Sequence, residues 1–296
     1  MSLPTTQPVL ITGASGTLGQ AFRRVCHIRG LHAVTLDRAA LDITEAASVA
    51  QALRQHQPWA VVNAAGYVRV DEAEAEHVRC YRENVTGPRL LAEACACQGV
   101  QLLTFSSDLV FDGHKSTPYR ERDVTRALNV YGRSKLLAEQ AVLDHLPTAL
   151  VVRTSAFFSA WDEHNFVHHA LTAARQGEFF AAADDLVISP TYVPDLVNTA
   201  LDLLLDGAHG RWHLANQDPC TWAELARLAL RVAGLDEAAV QPRPAASFGW
   251  AARRPRYSAL ASEHGALLPS VEDGLHRHLE DERLMQSDNP PVMLVG

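Results

Sequence analysis

The sequence predicts an α/β protein built on a doubly wound parallel sheet of the Rossmann type, with a smaller C-terminal substrate lobe. Three observations carry this prediction. Apolar, strand-like runs alternate with helical stretches, which argues for a parallel sheet covered by helices on both faces. The first run enters a glycine-rich turn, Val9-Leu-Ile-Thr-Gly13-Ala-Ser-Gly16-Thr-Leu-Gly19, and then a helical pattern of Leu18, Phe22, Val25 and Cys26. An acidic residue, Asp37, follows the second apolar run Ala33-Val-Thr-Leu36, where a dinucleotide fold places its ribose-binding group.

Taken in order, strands are expected near 8–12, 33–36, 60–63, 101–106 and 149–153, each followed by a helix. Asp42 with Glu45, Asp71 with Glu74 and Thr221 with Glu224 each place a capping side chain three residues before an acid that can reach back, so each pair reads as a helix start. After Arg153 the alternation weakens and glycine and proline become more frequent, with a long loop over 243–255. These patterns divide the chain into a dinucleotide-binding domain over 1–158, with 187–210 packing back on it. A substrate-binding lobe is expected over 159–186 and 211–285, and a flexible tail over 286–296.

The glycine turn has the chemistry of a phosphate cradle. Small residues over Gly13, Ser15, Gly16, Thr17, Leu18 and Gly19 let backbone N–H groups approach a pyrophosphate, whose charge then sits at the positive end of the following helix. The spacing differs from the G-x-G-x-x-G of most dinucleotide folds. Strand, turn and helix nevertheless occur in the required order. Asn63-Ala64-Ala65-Gly66 also ends a strand with small residues, which admits a cofactor close to the backbone. Asp37 disfavours a 2′-phosphate by like charge, whereas Arg38 suits one, so NADPH and NADH both stand as cofactors.

Tyr131 and Lys135 lie four apart in Asn-Val-Tyr131-Gly-Arg-Ser-Lys135, a spacing that brings both onto one helix face. An ammonium beside a phenol, together with a bound nicotinamide, is expected to lower the tyrosine pKa from its usual value of about 10 and to make it a proton-transfer group. Strand 101–106 ends in Ser106-Ser107-Asp108. In a doubly wound sheet, ligands bind beyond the carboxyl ends of strands, so Ser107 is expected to face the reaction site.

With these segments in view the chain resembles the extended short-chain dehydrogenase/reductases, and most closely the dTDP-4-dehydrorhamnose reductase family. The matching stretches include Gly13 to Gly19, Leu41-Asp42-Ile43, Asn63 to Tyr67, Phe105 to Asp108, Tyr131 to Lys135, Arg153-Thr-Ser155, Ser189-Pro-Thr191 and Arg254-Pro255 with Ser258. The resemblance implies NAD(P)H-dependent reduction of a nucleotide-linked 4-keto sugar, dTDP-linked by family habit. Ser107 and Tyr131 would hold the ketone oxygen, and Lys135 would tune the tyrosine and hold the cofactor ribose. It also implies cofactor contacts at Asp42, Ile43, Ala64, Ala65 and Ser106, and substrate contacts at Val68, Asp108, Leu109, Asn165, Arg254 and Tyr257. Arg253-Arg254-Pro255-Arg256 is the densest basic cluster in the chain, and arginine forks suit a diphosphate. A solvated loop is the ordinary alternative.

Two departures fall where the family touches substrate: Leu109 stands where an aromatic is usual, and Ala156 where a tryptophan is. Alternatives therefore remain: a nucleotide-sugar epimerase or dehydratase with tightly bound NAD, or a non-catalytic sugar-nucleotide-binding or regulatory protein. Helices over 84–97 and 131–142 pair into a four-helix bundle in many members of the superfamily, which makes a homodimer an expectation.

Composition agrees with a cytoplasmic enzyme. A chain of 296 residues that is 47% hydrophobic can bury a large core, and a net charge of −8 argues against nucleic acid or an anionic membrane as partner. The first residues lack a basic stretch followed by an apolar run, and no eighteen-residue apolar span occurs. Cys95-Ala-Cys97 has no second pair or histidine at zinc spacing, so no metal is expected. The five cysteines are expected to pack in the core, and the fourteen histidines to lie on solvated helix faces.

Overall fold

The computed structural model describes residues 7–286. The tail expected over 286–296 falls outside them apart from Gln286, which ends the last helix. Strands β1 (Val9–Thr12), β2 (Ala33–Leu36), β3 (Ala60–Asn63), β4 (Gln101–Ser107) and β5 (Leu150–Thr154) lie parallel in the order β5-β4-β3-β1-β2. A sixth parallel strand, Gly210–His213, pairs with β5 and completes the sheet. Residues 211–213, assigned to the lobe from sequence, are therefore sheet residues: Trp212 pairs with Val152 in register.

Both faces of the sheet are covered, which is why its central strands read as continuous apolar runs rather than alternating ones. Ile11, Val62, Leu103 and Val152 pack under Phe22 and Val25 of the helix Thr17–Ile28 and under Leu196 and Leu201 of the helix Val193–Leu205. Leu10, Val61, Leu102 and Val151 face the other way, onto Leu53, Leu91 and Val142. A further core joins Phe158, Leu171, Tyr192, Leu225, Leu230 and Leu275, most of them on the helices Phe166–Arg175, Trp222–Val232 and Val271–Gln286. Among the described residues, no helix is long and apolar enough to cross a membrane.

The chain leaves β1 for β2 on one side and then crosses back to β3 on the other. This reversal opens a crevice between the carboxyl ends of β1 and β3, where such sheets bind ligands. Thr12, Asn63 and Thr104 tie the strands together there: Thr12 Oγ1 donates to Asn63 Oδ1 at 2.8 Å, and Asn63 Nδ2 donates to Thr104 Oγ1 at 3.2 Å.

Of the three helix starts read from sequence, Thr221 and Glu224 form the reciprocal capping box. The other two pairs do different work. Asp42 Oδ1 accepts from the backbone and hydroxyl of Thr44, and Asp71 accepts from Ala252 N and from Arg254. A capping acid and a tertiary acid look alike in sequence. Long-range partners 181 and 183 residues away decide the second case. Cys26, Cys80 and Cys95 are buried and unpaired. Two histidines depart from the expected solvated faces: His213 and His278 are buried, and burial pushes the His213 imidazole down to about 4.

Candidate active site

Two clefts open at the carboxyl edge of the sheet. The first, about 420 Å³, is lined by Gly13, Ser15, Gly16, Thr17 and Leu18 of the glycine turn, by Arg38, Asp42 and Ile43, and by Ala64, Ala65 and Gly66 after β3. Gly13 has φ +68°, and a Cβ there would lie 2.7 Å from Ala64 O, so the turn and the end of β3 touch backbone to backbone. Only glycine fits that contact. Gly16 precedes the helix Thr17–Ile28, and a Cβ built there would make only an ordinary contact, 3.4 Å from Gly13 O. Gly16→Val is therefore expected to keep the melting temperature while weakening NADPH binding at least about tenfold, since its branched side chain occupies phosphate space at a helix N-terminus. Calorimetry beside a thermal melt separates the two effects.

The second cleft, about 330 Å³, is lined by Ser106, Ser107, Asp108, Leu109 and Tyr131, by Ser155, Ala156 and Phe157, and by Trp222, Arg254 and Ser258. Val68 and Phe157 line both clefts, so they meet at that point. Tyr131 is carried by the helix Val130–His145, whose start is capped by Asn129 Oδ1 accepting from Gly132 N at 2.7 Å. Asn129 Nδ2 also donates to Arg253 O at 2.8 Å, which ties the helix start to the basic loop. Gly132 lets the helix abut the chain after β4: a Cβ there would fall 2.1 Å from Leu109 O. That contact sets Tyr131 beside Ser107. A buried asparagine, Asn84, supports it from behind, with Oδ1 accepting from Tyr67 N at 2.8 Å and Nδ2 donating to Ser134 Oγ at 2.9 Å. Asn84 lies in a short π-helical turn, Arg82–Thr86, a wide-turn form frequent at functional sites.

Lys135 sits one turn after Tyr131, with Nζ 5.7 Å from the Tyr131 ring centre. Its ammonium donates to Phe105 O at 3.2 Å and lies beside Gly66, where a built Cβ would be 3.6 Å away. Burial pulls the lysine down to about 8, and Cys80 and Glu139 oppose that fall. The tyrosine behaves differently from the sequence expectation. Burial first, then the nearby Asp108 and Cys80 charges, raise the Tyr131 phenol above its ordinary value, and a hydrogen bond with Ser107 offsets this only in part. The chain's own groups therefore keep the Tyr131 proton in place at neutral pH, as a proton donor requires.

Asp108 is buried at the floor of the second cleft. Ser258 Oγ donates to Asp108 Oδ2 at 2.5 Å and Ser107 Oγ donates to Asp108 Oδ1 at 3.0 Å. Burial raises its carboxyl, while hydrogen bonds from Ser258, Ser155 and Ser107 counter the rise. Arg254 reaches the cleft held in a two-point ion pair, its NH1 2.9 Å from Asp71 Oδ1 and its NH2 2.6 Å from Asp71 Oδ2, with the guanidinium carbon 4.4 Å from the Trp250 ring centre. Ala156 adopts φ +42°, left-handed backbone that a side chain rarely takes, in the wall of the same cleft.

Some expected contacts lie elsewhere. Asp37 turns back to accept from Ala40 N at 2.9 Å and does not line the first cleft, whereas its neighbour Arg38 does. Asn63 is buried among the strand-end bonds described above, and Gly19 is packed against Gly13. Asn165 caps the helix Phe166–Arg175 and donates to Ser159 O and Asp162 O, which occupies its polar atoms away from the cleft. Tyr257 packs with Val110, Phe111, Tyr119 and Leu260. Hydrogen bonds claim Asp37, Asn63 and Asn165, apolar contacts claim Tyr257, and backbone packing claims Gly19. Trp222, Phe157 and Ser155 were not anticipated as cleft residues. Trp222 stands on a different segment from Leu109 and Ala156 and adds an indole to the lining of the same cleft.

Residues 7–278 match the RmlD substrate binding domain family. The chain is 38% identical over 257 residues to a dTDP-4-dehydrorhamnose reductase of Streptomyces griseus, covering 85% of this chain and 84% of that one. It is 36% identical over 256 residues to a dTDP-4-keto-6-deoxy-D-glucose reductase of Streptomyces niveus, covering 86% and 88%. A crystal structure of dTDP-4-dehydrorhamnose reductase from Bacillus anthracis in complex with NADP superposes with a TM-score of 0.88 at 31% identity, over 93% of this chain and 99% of the other. The chain thus belongs to the RmlD substrate binding domain family, within the extended short-chain dehydrogenase/reductases.

Proposed function

We propose that this protein is an NADPH-dependent reductase of a dTDP-linked 4-keto sugar, working through Ser107, Tyr131 and Lys135. The observation that carries the reading is the meeting of two clefts at Val68 and Phe157, with a glycine-cradled groove on one side and a protonated tyrosine on the other. The first cleft fits a dinucleotide: the glycine turn that precedes a helix lines it, and Arg38, paired there with Glu83 at 2.9 Å, is its cation for a 2′-phosphate. Bound there, NADPH supplies the hydride.

The chain's own groups do the rest. Ser107 and Tyr131 hold the ketone oxygen, and the Tyr131 hydroxyl gives its proton to that oxygen as negative charge develops. Lys135, beside Gly66, holds the ribose edge of the cofactor groove. Arg254 at the rim of the second cleft is the cation for the sugar-linked diphosphate. The names of the relatives support the dTDP sugar and the NADP neighbour supports the cofactor.

The purified chain is expected to consume NADPH only when a dTDP-4-keto sugar is added. Bound NAD in the purified protein, with conversion of a sugar nucleotide and no NADPH consumed, would instead mark an epimerase or dehydratase. Arg254→Ala is expected to weaken sugar-nucleotide binding by about 1.5–3 kcal/mol, the scale of a hydrogen bond to a charged group, while NADPH affinity is unchanged. Equal loss of both ligands would make the Asp71 pair a structural staple only.

A further inference from the structure

Tyr131, Lys135 and Glu139 follow one another at four-residue steps along one face of the helix Val130–His145. Three consecutive residues of β4 receive that face. Ser107 lies by Tyr131, the Phe105 carbonyl accepts from Lys135 Nζ at 3.2 Å, and the Ser106 hydroxyl donates to Glu139 Oε1. Glu139 is 1% exposed and is held by two arginines: Arg153 Nε reaches Oε1 at 2.8 Å and its NH2 reaches Oε2 at 2.6 Å, while Arg211 Nε reaches Oε2 at 3.0 Å.

Glu139 is the anion set among three cations behind the site, the buried Arg153, the half-buried Lys135, and Arg211. A buried ion pair is weak evidence of stability by itself, because apolar replacements often serve as well. Its place one turn behind Lys135 is what an apolar pair could not reproduce.

We propose that Glu139 is a positioning residue, which fastens the Tyr131–Lys135 face of the helix to the end of β4 and sets a carboxylate held by Arg153 and Arg211 one turn behind the Lys135 ammonium. The inference rests on the reading of Lys135 given above. The charged and titratable groups facing Lys135 are Tyr131 and Glu139 on its own helix and Cys80 on the helix His77–Tyr81, with Arg153 on β5 and Arg211 on the last strand behind Glu139. Glu83 acts on Cys80. On the neighbouring helix Gly87–Gln98, Arg89 pairs with Glu93, which also meets His145 at the far end; in the short turn Glu72–Glu74, Glu74 accepts from Val130 N at the near end. Burial works against the Glu139 charge, yet Arg153, Ser106 and Arg211 hold its carboxyl below the ordinary range, so it is an anion wherever Lys135 titrates.

The test is NADPH affinity against pH, by calorimetry on the full chain. The wild type is expected to lose affinity as pH rises through about 8, as the ammonium discharges. Glu139→Gln should move that limb down by about one pH unit, and Arg211→Gln, which leaves the carboxylate less neutralised, should move it up. Opposite shifts cannot come from loosened packing. Limbs that stay in place, or move together while the melting temperature falls, overturn the proposal. A wild-type limb that survives in Lys135→Met does not belong to Lys135, and overturns the site reading along with this one. A limb that vanishes in Lys135→Met but is indifferent to Glu139 and Arg211 overturns this inference alone. If Glu139→Gln does not fold, Arg211→Gln decides: its side chain is 38% exposed, an upward shift supports the proposal and no shift refutes it.

Discussion

Tyr131→Phe is expected to fold, to bind NADPH as the wild type does, and to lose at least about a hundredfold in turnover, since general acid catalysis is typically worth 10² to 10⁴. The ring packs against Tyr67, Ala73, Cys80 and Val130, contacts that phenylalanine keeps. What disappears is the hydroxyl, whose proton the surrounding burial and the Asp108 charge hold in place. Steady-state rates with a dTDP-4-keto sugar, beside a thermal melt, make the measurement. A Tyr131→Phe enzyme that matches the wild-type rate would show that the proton comes from Ser107 or an ordered water. Intact NADPH binding with no turnover in either form would instead point to a binding protein.

Much of this site was legible in the chain because its parts are local. The glycine turn, the Asn63 to Gly66 strand end, Ser107 and the Tyr131–Lys135 step each depend on residues a few positions apart, and the strand–helix alternation places them at one edge of the sheet. Parts that depend on distant partners were not legible. Asp71 has a helix-capping sequence around it, but Arg254, 183 residues on, decides its role. The sign of the Tyr131 shift follows from burial beside Asp108, which spacing along one helix does not contain. Trp222 enters the cleft from the start of a helix in the C-terminal lobe, and Gly132 matters only because Leu109 O lies against it. Asn165 and Tyr257 show the opposite case: each has the right chemistry for a ligand, and in the structure each is engaged by its own neighbourhood.

Lys135→Met should reveal the second large effect, because on the proposed reading it removes a charge that serves both the cofactor ribose and the Tyr131 proton. NADPH affinity is expected to fall about tenfold or more, the cost of losing a hydrogen bond to a charged group, and turnover should fall with it. The pH dependence fixes the cause. The lysine is ordinarily protonated up to about 10.5, but burial brings it to about 8 here, so the ammonium is fully present below pH 7 and is lost as pH rises through 8. Wild-type affinity and rate should therefore decline on the alkaline side, whereas Lys135→Met should be weak and flat across the same range. Methionine keeps the apolar stem of lysine while removing Nζ, so the hydrogen bond to Phe105 O is lost together with the charge and little else changes. If the methionine variant binds NADPH as tightly as the wild type, Lys135 does not touch the cofactor. Its proximity to Tyr131 would then have to act on the proton alone, and that would appear as a shifted rate profile with unaltered binding.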